Sequence, residues 1–257
     1  MKQHRVVILG SGYLARFMLS LTSFYVDVLH TSRDPNSNLR WVPPKQQVRF
    51  DLEQRDTWSN IPSDTDLLWC FPAAPVDSVR EFAMRIKGLF RKLVVLGSTS
   101  AYDVAASSDY PPPWIDESTS IDLSKPRVQG EELLRKECGA IVLRVSGIYG
   151  PNRNPLDWIR TGRVSPSRKY VNLIHVEDLA AVCVAALERG QRGEVYNVSD
   201  GTPRHMERDL YDRAGSMAPA RNLRAINSSL WEADRHAEAA REPRGIPSAH
   251  RSLRFSR

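Results

Sequence analysis

The 257-residue sequence predicts an α/β protein on a doubly wound parallel sheet, with a small C-terminal lobe whose completeness the sequence leaves open. Three observations predict it. A strand, a glycine turn, a helix and a second strand follow one another within about thirty residues of the N-terminus. Strand-like and helix-like segments then alternate to about residue 200. Beyond that point both periodicities fade.

Val6 to Leu9 is a short, β-branched apolar run, as a strand covered on both faces requires. Gly10-Ser11-Gly12 breaks it, and Leu14, Phe17, Met18 and Leu21 then recur at helical spacing. "VDVLHT" supplies the second strand and "QVRFDL", Gln47 to Leu52, an alternating third. "DLLWCF" is a fourth, stopped by Pro72, and "DSVREFAMRIKGLF" a helix with Val79, Phe82, Ile86 and Leu89 on one side. "KLVVLGS" and "AIVLRVSGIYG" read as the fifth and sixth strands, with the helix "GEELLRKE" between them. The helix "VEDLAAVCVAALERG" and the strand "GEVYNVS" close the series. Past Gly201, "RHMERDLYDRAGS" and a segment around Leu230 to Ala240 have helical character but promise no substantial core. The expected division is a sheet-bearing core over 1–150 and a smaller region over 151–257. Within the latter, 171–200 returns to the sheet and 221–257 is a divergent basic tail.

Hydrophobic content of 41% and charged content of 26% are those of an ordinary globular chain. The N-terminal apolar run stops after four residues, too short for a signal peptide or a membrane anchor, so no membrane partner is expected. Cys70, Cys138 and Cys183 are scattered, which argues for reduced thiols, a cytoplasmic setting and no metal site. The net charge of +6 is uneven, because the segment from Arg221 onward holds eight Arg against four acids. A basic tail is a weak nucleic-acid signal, and no nucleic-acid partner is expected.

Gly10-x-Gly12-x-x-Ala15 follows a strand and opens a helix, the context of a dinucleotide-binding turn in a Rossmann fold. Gly10 permits the tight turn, Gly12 lets the backbone approach a pyrophosphate, and Ala15 lets helix and strand pack closely. Ser11, Tyr13 and Leu14 complete the candidate cofactor-binding turn. After the second strand, Thr31, Ser32 and Arg33 precede Asp34. A hydroxyl and a guanidinium suit a 2′-phosphate, since Arg makes charge-assisted bidentate bonds to phosphate oxygens. NADP is therefore the expected cofactor, and Asp34 keeps NAD as the alternative.

Beyond "ILGSGYLA", the sequence carries "FDL" at 50–52, "LGSTSAYD" at 96–103, "IDES" at 115–118, "LRVSGIYGPNR" at 143–153, "NLIHVEDLAA" at 172–181 and "GEVYNVSDG" at 193–201. In this order the set resembles the extended or atypical short-chain dehydrogenase/reductases, of the NAD-dependent epimerase/dehydratase (nucleotide-sugar) type, over about the first 200 residues. The resemblance implies that Asp51, with Leu52, lies near the adenine and that Phe71-Pro72-Ala73 lies against the cofactor. It implies that Ser98 is the catalytic hydroxyl that holds the reacting oxygen, with Thr99 beside it, and that His175 is a structural hydrogen-bonding residue.

One departure is chemical. Such enzymes use a Tyr and a Lys four residues later for proton transfer. Anchoring on "GEELL" places Leu123 and Arg127 at those positions. Leu cannot transfer a proton. Arg127 can still hold the nicotinamide ribose, as a fixed charge. Tyr102, Tyr110 and Tyr149 are candidate substitutes without the flanking pattern. Arg153 and Asn172 are candidate contacts for a substrate diphosphate, and Trp114 and Trp158 candidate walls for a ring. The expected function is an NAD(P)-binding oxidoreductase or epimerase acting on a small nucleotide-sugar or similar hydroxyl/carbonyl substrate, in a chain that can form homodimers. The alternative is a non-catalytic NAD(P)-binding redox sensor or structural protein.

Overall fold

In the computed structural model, the described residues are 5–18, 27–105, 109, 112–161, 170–205 and 253–254. Leu21, Tyr110 and the helical segment expected around Leu230 to Ala240 lie outside them, as does nearly all of the basic tail. So do all but Arg204 and His205 of the helical segment expected from Arg204, and those two form a short strand.

The strands are β1 (Arg5–Leu9), β2 (Asp27–Ser32), β3 (Gln47–Arg49), β4 (Thr65–Trp69), β5 (Phe90–Ser98), β6 (Trp114–Ile115), β7 (Ile141–Val145), β8 (Gly147–Tyr149), β9 (Tyr170–Val171), β10 (Leu173–His175), β11 (Val195–Val198), β12 (Arg204–His205) and β13 (Leu253–Arg254). The helices are α1 (Tyr13–Met18), α2 (Pro35–Asn38), α3 (Val76–Ile86), α4 (Pro126–Cys138), α5 (Pro155–Arg160) and α6 (Val176–Arg189). Seven strands form one sheet in the order β11-β7-β5-β4-β1-β2-β3. Strands β3, β2, β1, β4 and β5 are joined in parallel register. The expected doubly wound α/β sheet is therefore the observed one.

Two compact units share the chain. The first comprises Met1–Gly97, Leu123–Leu143 and Ala180–Val195, and the second Ser98–Asp122, Arg144–Leu179 and Tyr196–Arg257.

In the first unit, Val6 to Leu9 of β1 and Leu67 to Trp69 of β4 are at most 1% exposed. Continuous apolar runs of this kind are what a two-sided parallel strand needs. Val79, Phe82 and Ile86 of α3 turn into the same core. Phe82 sits at its centre, with ring centroids 5.1 Å from Phe50, 5.3 Å from Trp58 and 5.8 Å from Trp69. Leu89 does not continue this face. The helix ends at Ile86, Gly88 turns the chain at φ 81°, and Leu89 is left 42% exposed. α4 ends in the same manner, on Gly139 in the left-handed region.

In the second unit, β8 pairs in parallel with β10, and β9 and β6 pair antiparallel with β12 and β13. The run "AIVLRVSGIYG", expected as one strand, is two. Ser146 N–H donates to Val198 O at 2.9 Å, whereas the next amide, Gly147 N–H, donates to Asn172 O at 3.0 Å. The chain changes partner at one residue, where Ser146-Gly147 interrupts the apolar run. The third strand is likewise shorter than expected and stops at Arg49, although Phe50 N–H still reaches Ser32 O at 2.9 Å.

Candidate functional site

A cavity of about 860 Å³ in the first unit opens at the carboxyl ends of β1, β2 and β4. Ligands of open parallel sheets bind at this edge. Thr31, on the strand beside the glycine turn, holds that turn in place. Gly10 N–H donates to its hydroxyl at 2.9 Å and Ser11 N–H to its carbonyl at 3.0 Å. Gly12 N–H closes the turn onto Gly10 O at 2.8 Å.

The two glycines do different work. Gly10 has φ 82°, and a Cβ there would lie 2.7 Å from the ring of Phe71. It is needed for the backbone conformation and for close packing. A Cβ on Gly12 would meet nothing within 4 Å. Its missing side chain keeps open the space in front of the turn, as backbone approach to a bulky anion requires. This cradle and the size of the cavity fit a dinucleotide. Ala15 is fully buried, as close helix–strand packing demands.

Of the residues expected at the cofactor, Gly10, Ser11, Gly12, Tyr13, Arg33, Asp51, Leu52, Phe71 and Pro72 line this cavity. Leu14 and Ala73 are buried behind its surface, at 6% and 1% exposure, and Ala74 lines it instead. Asp51 shapes the local loop, with Oδ1 accepting Glu53 N–H at 3.0 Å and its carbonyl accepting Trp58 Nε1–H at 3.1 Å. Sequence reasoning missed Arg16, Asn38, Glu53 and Cys70 as lining residues. Arg16 stands four residues after Gly12 and so carries a readable spacing signal. Cys70 has none, and burial pushes its thiol up to about 12.

Asp34 is engaged elsewhere. Its Oδ1 caps α2 by accepting Ser37 N–H at 3.3 Å, and these hydrogen bonds hold its carboxyl below the usual range. It does not line the cavity, whereas Ser32, Arg33 and Asn38 do. Asn38 Nδ2 donates to Ser32 Oγ at 3.0 Å, which fixes both side chains.

Arg127 lies in the first turn of α4, half-buried. Three residues on, a Cβ at Gly130 would fall 1.9 Å from the carbonyl oxygen of Ala73. Arg127 therefore shares the helix face that abuts the segment after β4. Leu123, in the tyrosine's place, is 52% exposed and precedes the helix, where its carbonyl accepts Gln129 Nε2–H at 2.7 Å. On the same helix, the 2%-exposed Glu131 sits under β5, with its carboxylate where a Cβ on Gly97 would stand.

The second unit holds the remaining candidates. Ser98 ends β5 half-buried, its Oγ 3.2 Å from Ser100 Oγ and accepting Ser100 N–H at 3.3 Å. Thr99 opens the 3-10 turn that follows. Tyr102, on that turn, is fully buried. Arg144 Nη1 donates to its hydroxyl at 2.9 Å, and that hydroxyl donates to Asn197 Oδ1 at 2.8 Å. Tyr149 is 4% exposed and meets His175 edge-on at 5.2 Å. Burial pushes both phenols above their ordinary range. Neither stands in the open as a replacement acid.

His175 Nδ1 accepts Glu177 N–H at 3.3 Å at the start of α6. Arg153 is exposed and bridges to Gly150, whereas Asn172 is half-buried beside β10. Trp158 packs on Gly147, and Trp114 is 52% exposed. Ser146 Oγ and Asn197 Nδ2 are buried without a hydrogen-bond partner among the described residues. No group of three metal-ligating side chains forms among the described residues. No helix of the described residues is long and apolar enough to cross a membrane.

No protein-family model matches the chain. Protein YeeZ of Escherichia coli K12 is 31% identical over 71 residues, which is 27% of this chain and 25% of YeeZ, so the match spans a quarter of that relative's length. A Methylobacillus flagellatus protein assigned as an NAD-dependent epimerase/dehydratase is 26% identical, with a TM-score of 0.62 over 86% of this chain and 85% of that one. The dTDP-glucose 4,6-dehydratase of Bacillus anthracis, solved in complex with NAD, is 16% identical, with a TM-score of 0.62 over 81% and 79% of the two chains. The chain thus carries the fold of the NAD-dependent epimerase/dehydratases, the family that its motifs resemble.

Proposed function

We propose that this protein binds NADP(H) and acts as an epimerase- or dehydratase-like oxidoreductase on a small nucleotide-sugar or related hydroxyl/carbonyl compound. One observation carries the binding half: the turn Gly10–Gly12 and the pair Ser32–Arg33 line one cavity while the Asp34 carboxylate is held in a helix cap. Asp34 gives Oδ1 to a helix cap and does not line the cavity, whereas Arg33 beside Ser32 lines it and offers donors for a 2′-phosphate. The nicotinamide, when bound, would supply or accept hydride. Arg127 would hold the adjoining ribose as a permanent cation. The Ser98 hydroxyl, released from its local turn, would orient the reacting oxygen. The three free thiols suit a reducing, cytoplasmic setting.

A second reading has its own observation. Leu123 cannot carry a proton, and Tyr102 and Tyr149 are enclosed. A dinucleotide-binding sensor or structural protein needs no such group.

Incubation with NADPH and a panel of sugar nucleotides and carbonyl compounds separates the two readings, with nicotinamide absorbance followed and products analysed. Turnover that Ser98→Ala abolishes supports the enzyme. Tight NADPH binding without any product supports the sensor, and absence of binding to either cofactor sinks both.

A further inference from the structure

We infer that Arg16 is a second cation for the 2′-phosphate, braced by Trp41, and that Arg16 and Arg33 together set the preference for NADP(H) over NAD(H). The inference rests on the cofactor reading above and deepens it.

Arg16 lies on α1 and lines the same cavity as Ser32, Arg33 and Asn38. Neither arginine makes an ion pair among the described residues, and both line one space. The cavity's acids, Asp51 and Glu53, belong to a different segment, the one that follows β3.

Arg16 is also held. Its guanidinium stands over the Trp41 ring, 5.7 Å from the centroid. Trp41 is fixed in turn, since its Nε1–H donates to Asn38 O at 3.2 Å and its ring meets His30 edge-on at 5.0 Å. Stacking occupies one face of a guanidinium and leaves its in-plane N–H donors free, the edge that binds phosphate oxygens bidentately. Asn38 joins the two halves, because its carbonyl anchors Trp41 while its amide fixes Ser32. These contacts order the set without a ligand, which lowers the ordering cost of binding.

The test uses 2′,5′-ADP and 5′-AMP, which differ only in the 2′-phosphate, titrated calorimetrically into the full chain. The wild type is expected to bind 2′,5′-ADP at least tenfold more tightly. Arg16→Ala, at an exposed site that leaves the fold intact, is expected to weaken 2′,5′-ADP by about 10- to 100-fold and 5′-AMP by less than twofold. Trp41→Leu is expected to reproduce part of that selective loss. Equal weakening of both ligands by Arg16→Ala, or of neither, overturns the role of Arg16. A wild type that does not favour 2′,5′-ADP overturns the cofactor reading itself. A wild type whose preference depends on Arg33 and not on Arg16 overturns this inference alone.

Discussion

The Arg144 guanidinium lies over the Tyr102 ring, 4.9 Å from its centroid, and also donates to the hydroxyl of that ring at 2.9 Å. The same hydroxyl donates to Asn197 Oδ1, and Asn197 N–H donates to the Glu117 carboxylate at 2.8 Å. A buried cation is thus tied through one phenol to the turn that follows Ser98. Tyr102→Phe keeps the ring and removes both hydrogen bonds, leaving a buried charge with one acceptor fewer. The expected loss is about 2–3 kcal/mol in urea unfolding. A loss below about 0.5 kcal/mol would show that the phenol holds nothing.

The glycines of the turn should separate binding from stability. Gly10→Ala meets both a positive φ and the Phe71 ring and should cost about 2–3 kcal/mol. Gly12→Ala has open space and should unfold within about 0.5 kcal/mol of wild type, yet lose at least tenfold in dinucleotide affinity. Unchanged affinity in Gly12→Ala would place the pyrophosphate elsewhere.

At Gly130 the sign reverses the usual helix rule. Alanine ordinarily stabilises a helix interior by about 1 kcal/mol relative to glycine. Here its Cβ would collide with the Ala73 backbone, so Gly130→Ala should destabilise by about 3 kcal/mol or more. Thermal unfolding with calorimetric detection decides between the two signs.

His30 makes an acid-side prediction. Its ring is fully buried with Nδ1 3.2 Å from Ser11 Oγ, and burial lowers it from 6.5 to about 4. The unfolded chain therefore takes up this proton first. Stability from this group is complete above pH 6.5 and is lost as pH falls toward 4, by up to about 3 kcal/mol at about 1.4 kcal/mol per unit. His30→Gln should flatten that part of the stability–pH curve, whatever its absolute stability. Parallel curves for the two proteins would show that His30 does not titrate in this window.

Much of this was legible in the sequence, for local reasons. The run from Val6 to Leu9, the two glycines and the stripe at Leu14 and Met18 state their structure within a dozen residues. Phe71 and Pro72 were reachable only through resemblance, since nothing local says that a strand end meets a glycine turn sixty residues earlier. Asp34 shows the opposite limit. Its type and position suit a ribose ligand, and only the capped amide of Ser37 reveals its engagement. Arg16 needed Trp41, a contact between segments whose separate patterns are ordinary. Tyr102 could be proposed as an acid until its enclosure by Arg144 and Asn197 was seen. Burial of a polar group depends on what arrives from distant strands, and no window of sequence contains it.

The change of partner at Ser146 makes the segment from Arg144 to Tyr149 a ruler. One amide serves β11 and the next serves β10, so there is no slack residue between two pairing obligations. Substitutions here keep the count, so the register survives them whatever they cost in packing. A single insertion or deletion would shift β8 by one step and turn Tyr149 away from His175, because side chains alternate between faces. The length of this stretch is therefore a constraint separate from the burial of its side chains, and related chains are expected to keep it.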